Sequence, residues 1–478
     1  MIPLRPKPCF MLLASRRPLA LLGHTRKYQA RNVSDKASLI SSVSASPMPP
    51  PHSLLPTGML LRSLLIATVS SHRTFLTPSL AILSFFAKPR SALLSVEKNP
   101  LLHAIFKSTL YRHFCAGENV REVRTTIKNI KDMGFRGVIL TYAREVVVDS
   151  STEQEVGVGT QEYKKTDKAE LEKKVAFDAG IQAWREGVLE TASMLGEGDF
   201  LALKFTGAGA RVTEALASRK PLPAQMQEAL DAVCEQAIGR KASILVDAEQ
   251  QFVQPGIDDV ALSLMRTHNR EHATVYNTYQ AYLKSTPSTL LEHLHYAKDQ
   301  DFTIGVKLVR GAYMATEPRH LINDTKQQTD DSYDSIANGL LSRKYENLEY
   351  GSSSGFPRLK LFLATHNKQS ALNAYRVQQV RTEAGLPLTQ VQYGQLLGMA
   401  DEVSCTLLQL GDQSAQSTSP EVYKCLSWGT LGDCISYLLR RAVENRDAVS
   451  RTQMEYLALR REVWRRFKSL FTFEVASR

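Results

Sequence analysis

The chain has 478 residues, more than one compact core usually serves, so several domains or one large barrel with extensions is expected. Its formal charge of +11 would suggest a nucleic-acid partner if it were spread along the chain, but residues 1–96 hold 12 Lys and Arg against one acid, Asp35, and the remainder is neutral. Six scattered cysteines (Cys9, Cys115, Cys234, Cys405, Cys425, Cys434), with no CxxC pair and no histidine at ligand spacing, support neither a disulfide framework nor a zinc site and suit a reduced compartment.

Residues 1–95 are rich in Ser, Pro and Arg and almost free of acids, the composition of a mitochondrial transit peptide. Within them Met59–Val69 and Leu80–Ala87 are apolar but shorter than the about 18 to 20 residues that cross a bilayer. The stretch is expected to be a targeting sequence with a disordered or anchoring tail, and residues 96–478 a single catalytic domain.

Eight short runs dominated by Val, Ile, Leu and aromatics then follow: Gly137–Tyr142, Phe200–Gly207, Ala242–Glu249, Ala273–Tyr282, Thr303–Gly311, Leu359–Asn367, Val391–Met399 and Glu421–Gly429. They lack clean polar alternation, as strands covered on both faces do. Helical periodicity fills the gaps at Ala169–Leu195, Leu222–Ile238 and Ser288–Gln300, while Glu145–Lys168 and Gly351–Gly355 read as surface insertions. Strands separated by helical crossovers pair in parallel, either in an open doubly wound sheet or in a closed (βα)8 barrel of the TIM type. Eight strands match the closed form, an α/β fold with an N-terminal extension and helical insertions.

In such folds ligands lie at the carboxyl ends of the strands. Those ends carry Lys204, Asp247, Glu249, Gln280, Lys307, Arg310, His366, Asn367, Gln392 and Gln395. Gly207–Val212 (GAGARV) lacks the third glycine of a dinucleotide fingerprint and an evident ribose acid, so a Rossmann site is not expected. Neither a Walker lysine nor a serine nucleophile elbow is present. After the last strand, Tyr437–Asp447 (YLLRRAVENRD) sets Arg440 and Arg441 side by side behind an apolar run; neighbouring helical positions diverge by about 100°, so both cannot face water opposite that stripe.

In order, KFTGAG, ILVDAEQQFVQPGID, YNTYQAYL, GVKLVRGAY, LFLATHN, QLLGMAD and YLLRRAVEN resemble the motif series of the proline dehydrogenases, flavoenzymes on a (βα)8 barrel, over about Tyr111 to Asn445. The resemblance implies that Arg440, Arg441 and Lys204 bind the substrate carboxylate, with Asp247, Glu249 and Glu444 balancing their charge and Tyr437 forming an aromatic wall. It implies non-covalent FAD on Gln280, Lys307, Gly311, Ala312, Tyr313, Thr365, His366 and Asn367, with no metal. L-Proline would be oxidised to Δ1-pyrroline-5-carboxylate, the first step of its catabolism to glutamate. Electrons would pass to a quinone, implying peripheral contact with the matrix side of the inner mitochondrial membrane; no oligomeric state is implied.

One departure stands out. Where proline-specific relatives show a tyrosine in a K-Y-x-P-x-G context, this chain reads KCLSWG, placing Cys425 twelve residues before Tyr437. A smaller side chain there would admit hydroxyproline, although Trp428 could refill the space, so proline stays ahead. A flavin-dependent folate reductase on a similar scaffold is a more distant alternative, and a nucleic-acid-binding protein a non-enzymatic one.

Overall fold

The computed structural model describes residues 49–87, 94–142, 147–149, 154–156, 177–352, 355–413, 419–447 and 449–472. Most of the polar insertion expected at 145–168 and the side chain of Glu444 lie outside the described residues. All eight expected strands form: β1 Gly137–Tyr142, β2 Phe200–Leu203, β3 Ser243–Val246, β4 Val275–Gln280, β5 Ile304–Val309, β6 Leu359–Ala364, β7 Gln390–Leu396 and β8 Glu421–Trp428. Each pairs in parallel with its sequence neighbours, and β8 pairs with β1 from Gly137↔Tyr423 to Tyr142↔Trp428, which closes the barrel. Strand β2 stops at Leu203, short of the expected Gly207, because the chain turns into a 3-10 helix at Thr206–Ala208.

Alternation along the strands sends one set of side chains to the axis. Ile139, Phe200, Leu245, Tyr276, Phe362 and Tyr423 meet there, and Phe200 takes the rings of Tyr276, Phe362 and Tyr423 edge-on at 5.5, 5.3 and 5.1 Å. This plug makes the barrel interior a packed core. Gly394 on β7 is required by it, since a Cβ there would stand 2.4 Å from the Phe362 ring. The other set packs beneath the helices, which cover the outer face.

The helices used below are α1 Thr57–Ser71, α2 Arg73–Ala87, α3 Val120–Asp132, α4 Ala179–Ser193, α5 Ala224–Gly239, α6 Gln254–His268, α7 Thr286–Asp299, α8 Lys326–Ser342, α9 Lys368–Glu383, α10 Asp401–Gln413, α11 Leu431–Asp447 and α12 Val449–Thr472. Helices α3 and α4 flank β1, α5 to α10 connect β2 through β8 in turn, and α11 follows β8.

Residues 57–87, expected to be tail, contain folded structure. The described residues belong to one compact unit. Leu60, Ser63, Ala67 and Ser70 recur at three and four residues and form the buried face of α1. Leu60 and Ala67 pack with Cys405 and Leu459, and Leu83 of α2 packs with Cys434 and Leu438 of α11. No helix among the described residues is long and apolar enough to cross a membrane.

Candidate functional site at the carboxyl ends of the strands

Polar side chains that would be costly inside the plug sit where the strands end. Asp247, one residue past β3, and Lys307 on β5 form an ion pair at 2.5 Å, their side chains 18% and 12% exposed. Lys204, one residue past β2, places its ammonium 3.5 Å from the Tyr313 hydroxyl. Its own carbonyl accepts from the indole N–H of Trp184 on α4 at 2.8 Å, which fixes the backbone beneath it.

Cys425 on β8 lies among these charges. Burial pushes its thiol up to about 11; Lys307, Arg441 and Lys204 pull it down, and Asp247 pushes it up. Groups from β2, β3, β5 and α11 therefore act on one thiol at the barrel mouth. The two arginines separate: Arg441 is buried, its guanidinium 4.9 Å from the centroid of the Tyr437 ring one turn earlier, while Arg440 is exposed.

The start of α11 is fixed by a second ionic group. The Glu118 carboxylate accepts from the Leu431 N–H at 3.0 Å, at the helix N-terminus where an anion is favoured. It also meets the Lys107 ammonium and His103 Nε2, and Lys107 reaches Glu122 at 2.7 Å.

Several expected site residues also hold the architecture. The Glu249 carboxylate accepts from the backbone N–H groups of Phe205 and Thr206 at 2.8 and 3.2 Å and from the Thr206 hydroxyl, so it shapes the turn that follows Lys204. Buried Gln280 donates to the Glu249 carbonyl at 3.1 Å. Asn367 caps α9 through the N–H groups of Gln369 and Ser370, and Thr365 accepts from the Asn367 N–H. His366 Nε2 accepts from the Leu396 N–H at 3.2 Å, tying the end of β6 to β7.

Arg310, noted at a strand end but given no role from sequence, proves central to this frame. Its guanidinium donates to Asp330 at 2.6 Å, Thr365 at 2.9 Å and Ser370 at 3.0 Å, and lies 4.3 Å from the Tyr333 ring centroid. One side chain thus joins β5, α8 and α9; no local sequence signal distinguishes it from a surface arginine. Beside it, Gly311 has φ 141° and is exposed, and a Cβ there would meet the Tyr282 ring at 2.3 Å, so the backbone after β5 is bare by necessity.

The donor set fits a flavin: a cation on β5 with its own counter-ion, a bare glycine backbone beside it, and Gln280 and Thr365 within the same rim. Among the described residues no group of three His, Cys, Asp or Glu side chains could hold a metal ion.

The family model described as proline dehydrogenase matches residues 123–454. The chain is 27% identical over 410 residues to the probable mitochondrial proline dehydrogenase of Schizosaccharomyces pombe, covering 77% of this chain and 81% of that one. It is 28% identical over 436 residues to the hydroxyproline dehydrogenase of Rattus norvegicus, covering 86% and 91%. Among solved structures, proline utilization A (PutA) from Bdellovibrio bacteriovorus superposes with a TM-score of 0.59 at 14% identity, over 87% of this chain and 42% of that one, and shares the barrel.

Proposed function

Because the chain belongs to the proline dehydrogenase family, we propose that it oxidises L-proline to Δ1-pyrroline-5-carboxylate with non-covalent FAD and passes the electrons to a quinone. The observation that carries this reading is the set of cations at the strand ends and on α11: Lys307 paired with Asp247 at 2.5 Å, Lys204 3.5 Å from the Tyr313 hydroxyl, and Arg441 buried over the Tyr437 ring. An amino acid's carboxylate needs fixed cations, and the forked guanidinium of Arg441 with the Lys204 ammonium supplies them. Tyr437 stiffens Arg441 from one side and offers an apolar wall to the pyrrolidine ring.

FAD, held by Gln280, Lys307, the Gly311, Ala312 and Tyr313 backbone, Thr365, His366 and Asn367, would supply the acceptor for a hydride from the ring carbon beside nitrogen. Lys307 contributes positive charge where reduction builds negative charge, and Asp247 holds the lysine in place. No protein nucleophile is called for; orientation within a partly buried, charged mouth does most of the work. Relatives are named mitochondrial, which supports placing the enzyme in the mitochondrion, at the matrix face of the inner membrane where a quinone is reached.

Hydroxyproline as substrate is the second reading. It rests on Cys425, smaller than the family's tyrosine at a position facing the site, and on the likeness to enzymes named hydroxyproline dehydrogenase from Rattus norvegicus, Bos taurus and Mus musculus.

The deciding experiment is the visible spectrum of the purified protein before and after each imino acid. Yellow protein bleached anaerobically by proline alone supports the dehydrogenase; bleaching only by a reduced nicotinamide would favour a folate reductase, and colourless protein unable to retain added FAD would end the flavin reading.

A further inference from the structure

Apolar side chains are exposed in unusual number on the outermost helices. On α12, Met454, Leu457, Trp464 and Phe467 are 69%, 38%, 57% and 48% exposed. At about 100° per residue they share one face, opposite the buried Leu459 and Glu462. The remaining exposed residues between 453 and 468 are Gln453 and four bases, Arg460, Arg461, Arg465 and Lys468, with no acid. Trp464 stacks on Phe467 at 5.5 Å and Lys468 lies 5.6 Å from the Trp464 ring, so cations and aromatics are interleaved. Helix α1 packs along α12, and α1 and α2 add Leu61, Phe75 and Phe85 at 52%, 56% and 49% exposure, without a single acid in either helix.

Folded proteins seldom leave such a surface bare. A second copy would bring one basic face against another, a repulsive pairing in a symmetric dimer. Amphipathic helices with aromatic residues amid Lys and Arg suit the boundary between acyl chains and anionic headgroups. None of these helices can span, so the fit is to lying on the surface.

We propose that α12, flanked by α1 and α2, is the face by which this protein rests on an anionic lipid bilayer, with Trp464 and Phe467 in the headgroup boundary and Arg460 and Arg461 at the phosphates. Because α2 packs on α11, the bilayer lies one helix layer from Tyr437 and Arg441, within reach of a lipid-soluble electron acceptor. This rests on the proposed function only for its purpose; the contact itself is independent of the reaction.

Flotation of the full chain with phosphatidylcholine vesicles, with and without phosphatidylglycerol, tests it. Binding is expected with phosphatidylglycerol alone and should weaken with salt. The double variant Arg460→Gln/Arg461→Gln should lower vesicle affinity about thirtyfold, and Trp464→Ser/Phe467→Ser should abolish flotation. Proline-dependent dye reduction in solution should be unchanged in both variants; failure of the parent chain to reduce the dye would count against the reaction, not the surface. Flotation that is absent, equal on neutral vesicles or indifferent to both variants overturns the proposal. So does a sedimenting dimer dispersed by Trp464→Ser/Phe467→Ser, which would assign the face to a second copy.

Discussion

Lys307 Nζ stands 2.5 Å from Asp247 Oδ1 across the mouth of the barrel, a lysine of β5 paired with an acid that follows β3. The pair explains how a cation can be kept half-buried where a flavin would need it. Removing only the acid leaves an uncompensated buried charge, so Asp247→Asn should cost about 3 kcal/mol of folding stability, read by urea denaturation. Lys307→Met should lower proline turnover about a hundredfold. A kcat within twofold of the parent would show that the lysine serves the fold alone.

Arg441 and Arg440 are adjacent in sequence but not equivalent in space. Arg441 is buried over the Tyr437 ring and Arg440 is exposed. Arg441→Met should therefore raise KM for proline about a hundredfold, and Arg441→Lys should restore little because an ammonium cannot replace a fork. Arg440→Lys should change KM by less than about fivefold, because a lysine keeps the charge at an exposed position. Steady-state kinetics on the three variants would expose a mistaken ordering if Arg440→Lys proved as damaging as Arg441→Lys.

Cys425 on β8 packs against the axial plug, and the charges of Lys307, Arg441 and Lys204 act on its thiol. Cys425→Tyr should reduce kcat/KM for hydroxyproline more than for proline, by about tenfold or more, since a pocket filled by an added ring rejects the larger substrate. Equal losses for both imino acids would remove steric selection by this position.

The barrel was legible because covered parallel strands write continuous apolar runs, and all eight came through with ends displaced by a few residues. Lys204, Asp247, Lys307 and Arg441 stand out in a linear chain as strand ends and a tandem arginine, and the structure sets them at the carboxyl ends of the strands and on α11. What the linear chain hides is pairing. Asp247 proved to be the partner of Lys307 and Glu249 of a backbone turn, neither choice being encoded by spacing. The composition of residues 57–87 resembles a targeting sequence, yet their buried faces are completed by α11 and α12, several hundred residues away.

Glu118 ties the first turn of α11 to the segment before the barrel, and its chemistry makes that tie pH-dependent. Burial alone would raise its carboxyl, but Lys107, His103 and the Leu431 N–H together hold it below the usual carboxylate range; Glu122 is lowered in the same way, chiefly by Lys107 against burial. A carboxyl depressed in the folded state lends stability above its unfolded pKa of about 4.3, and that contribution is lost as pH falls through the lower folded value. Urea titrations should show stability falling from about pH 5 downward, with a shallower slope in Glu118→Gln. An unchanged slope in that variant would mean that the carboxylate carries no net stabilisation.

Directly behind Cys425 on β8, Lys424 points outward and meets Asp401 at 2.7 Å, the two side chains 4% and 2% exposed. Burial would raise the Asp401 carboxyl, but the charge and hydrogen bond of Lys424 hold it low. Lys424 also donates to the Met399 carbonyl at 3.2 Å, so the pair locks β8 to the turn that starts α10. Asp401→Ala should cost about 3 to 5 kcal/mol by stranding a buried ammonium, whereas Asp401→Leu with Lys424→Met should cost less than the single change. Because Cys425 is the next residue, a shifted β8 should also alter the ratio of proline to hydroxyproline turnover in the Asp401→Ala enzyme. If the double variant is no more stable than Asp401→Ala, the stranded charge is not what the single substitution exposes, and the pair acts through packing of the β8–α10 turn alone.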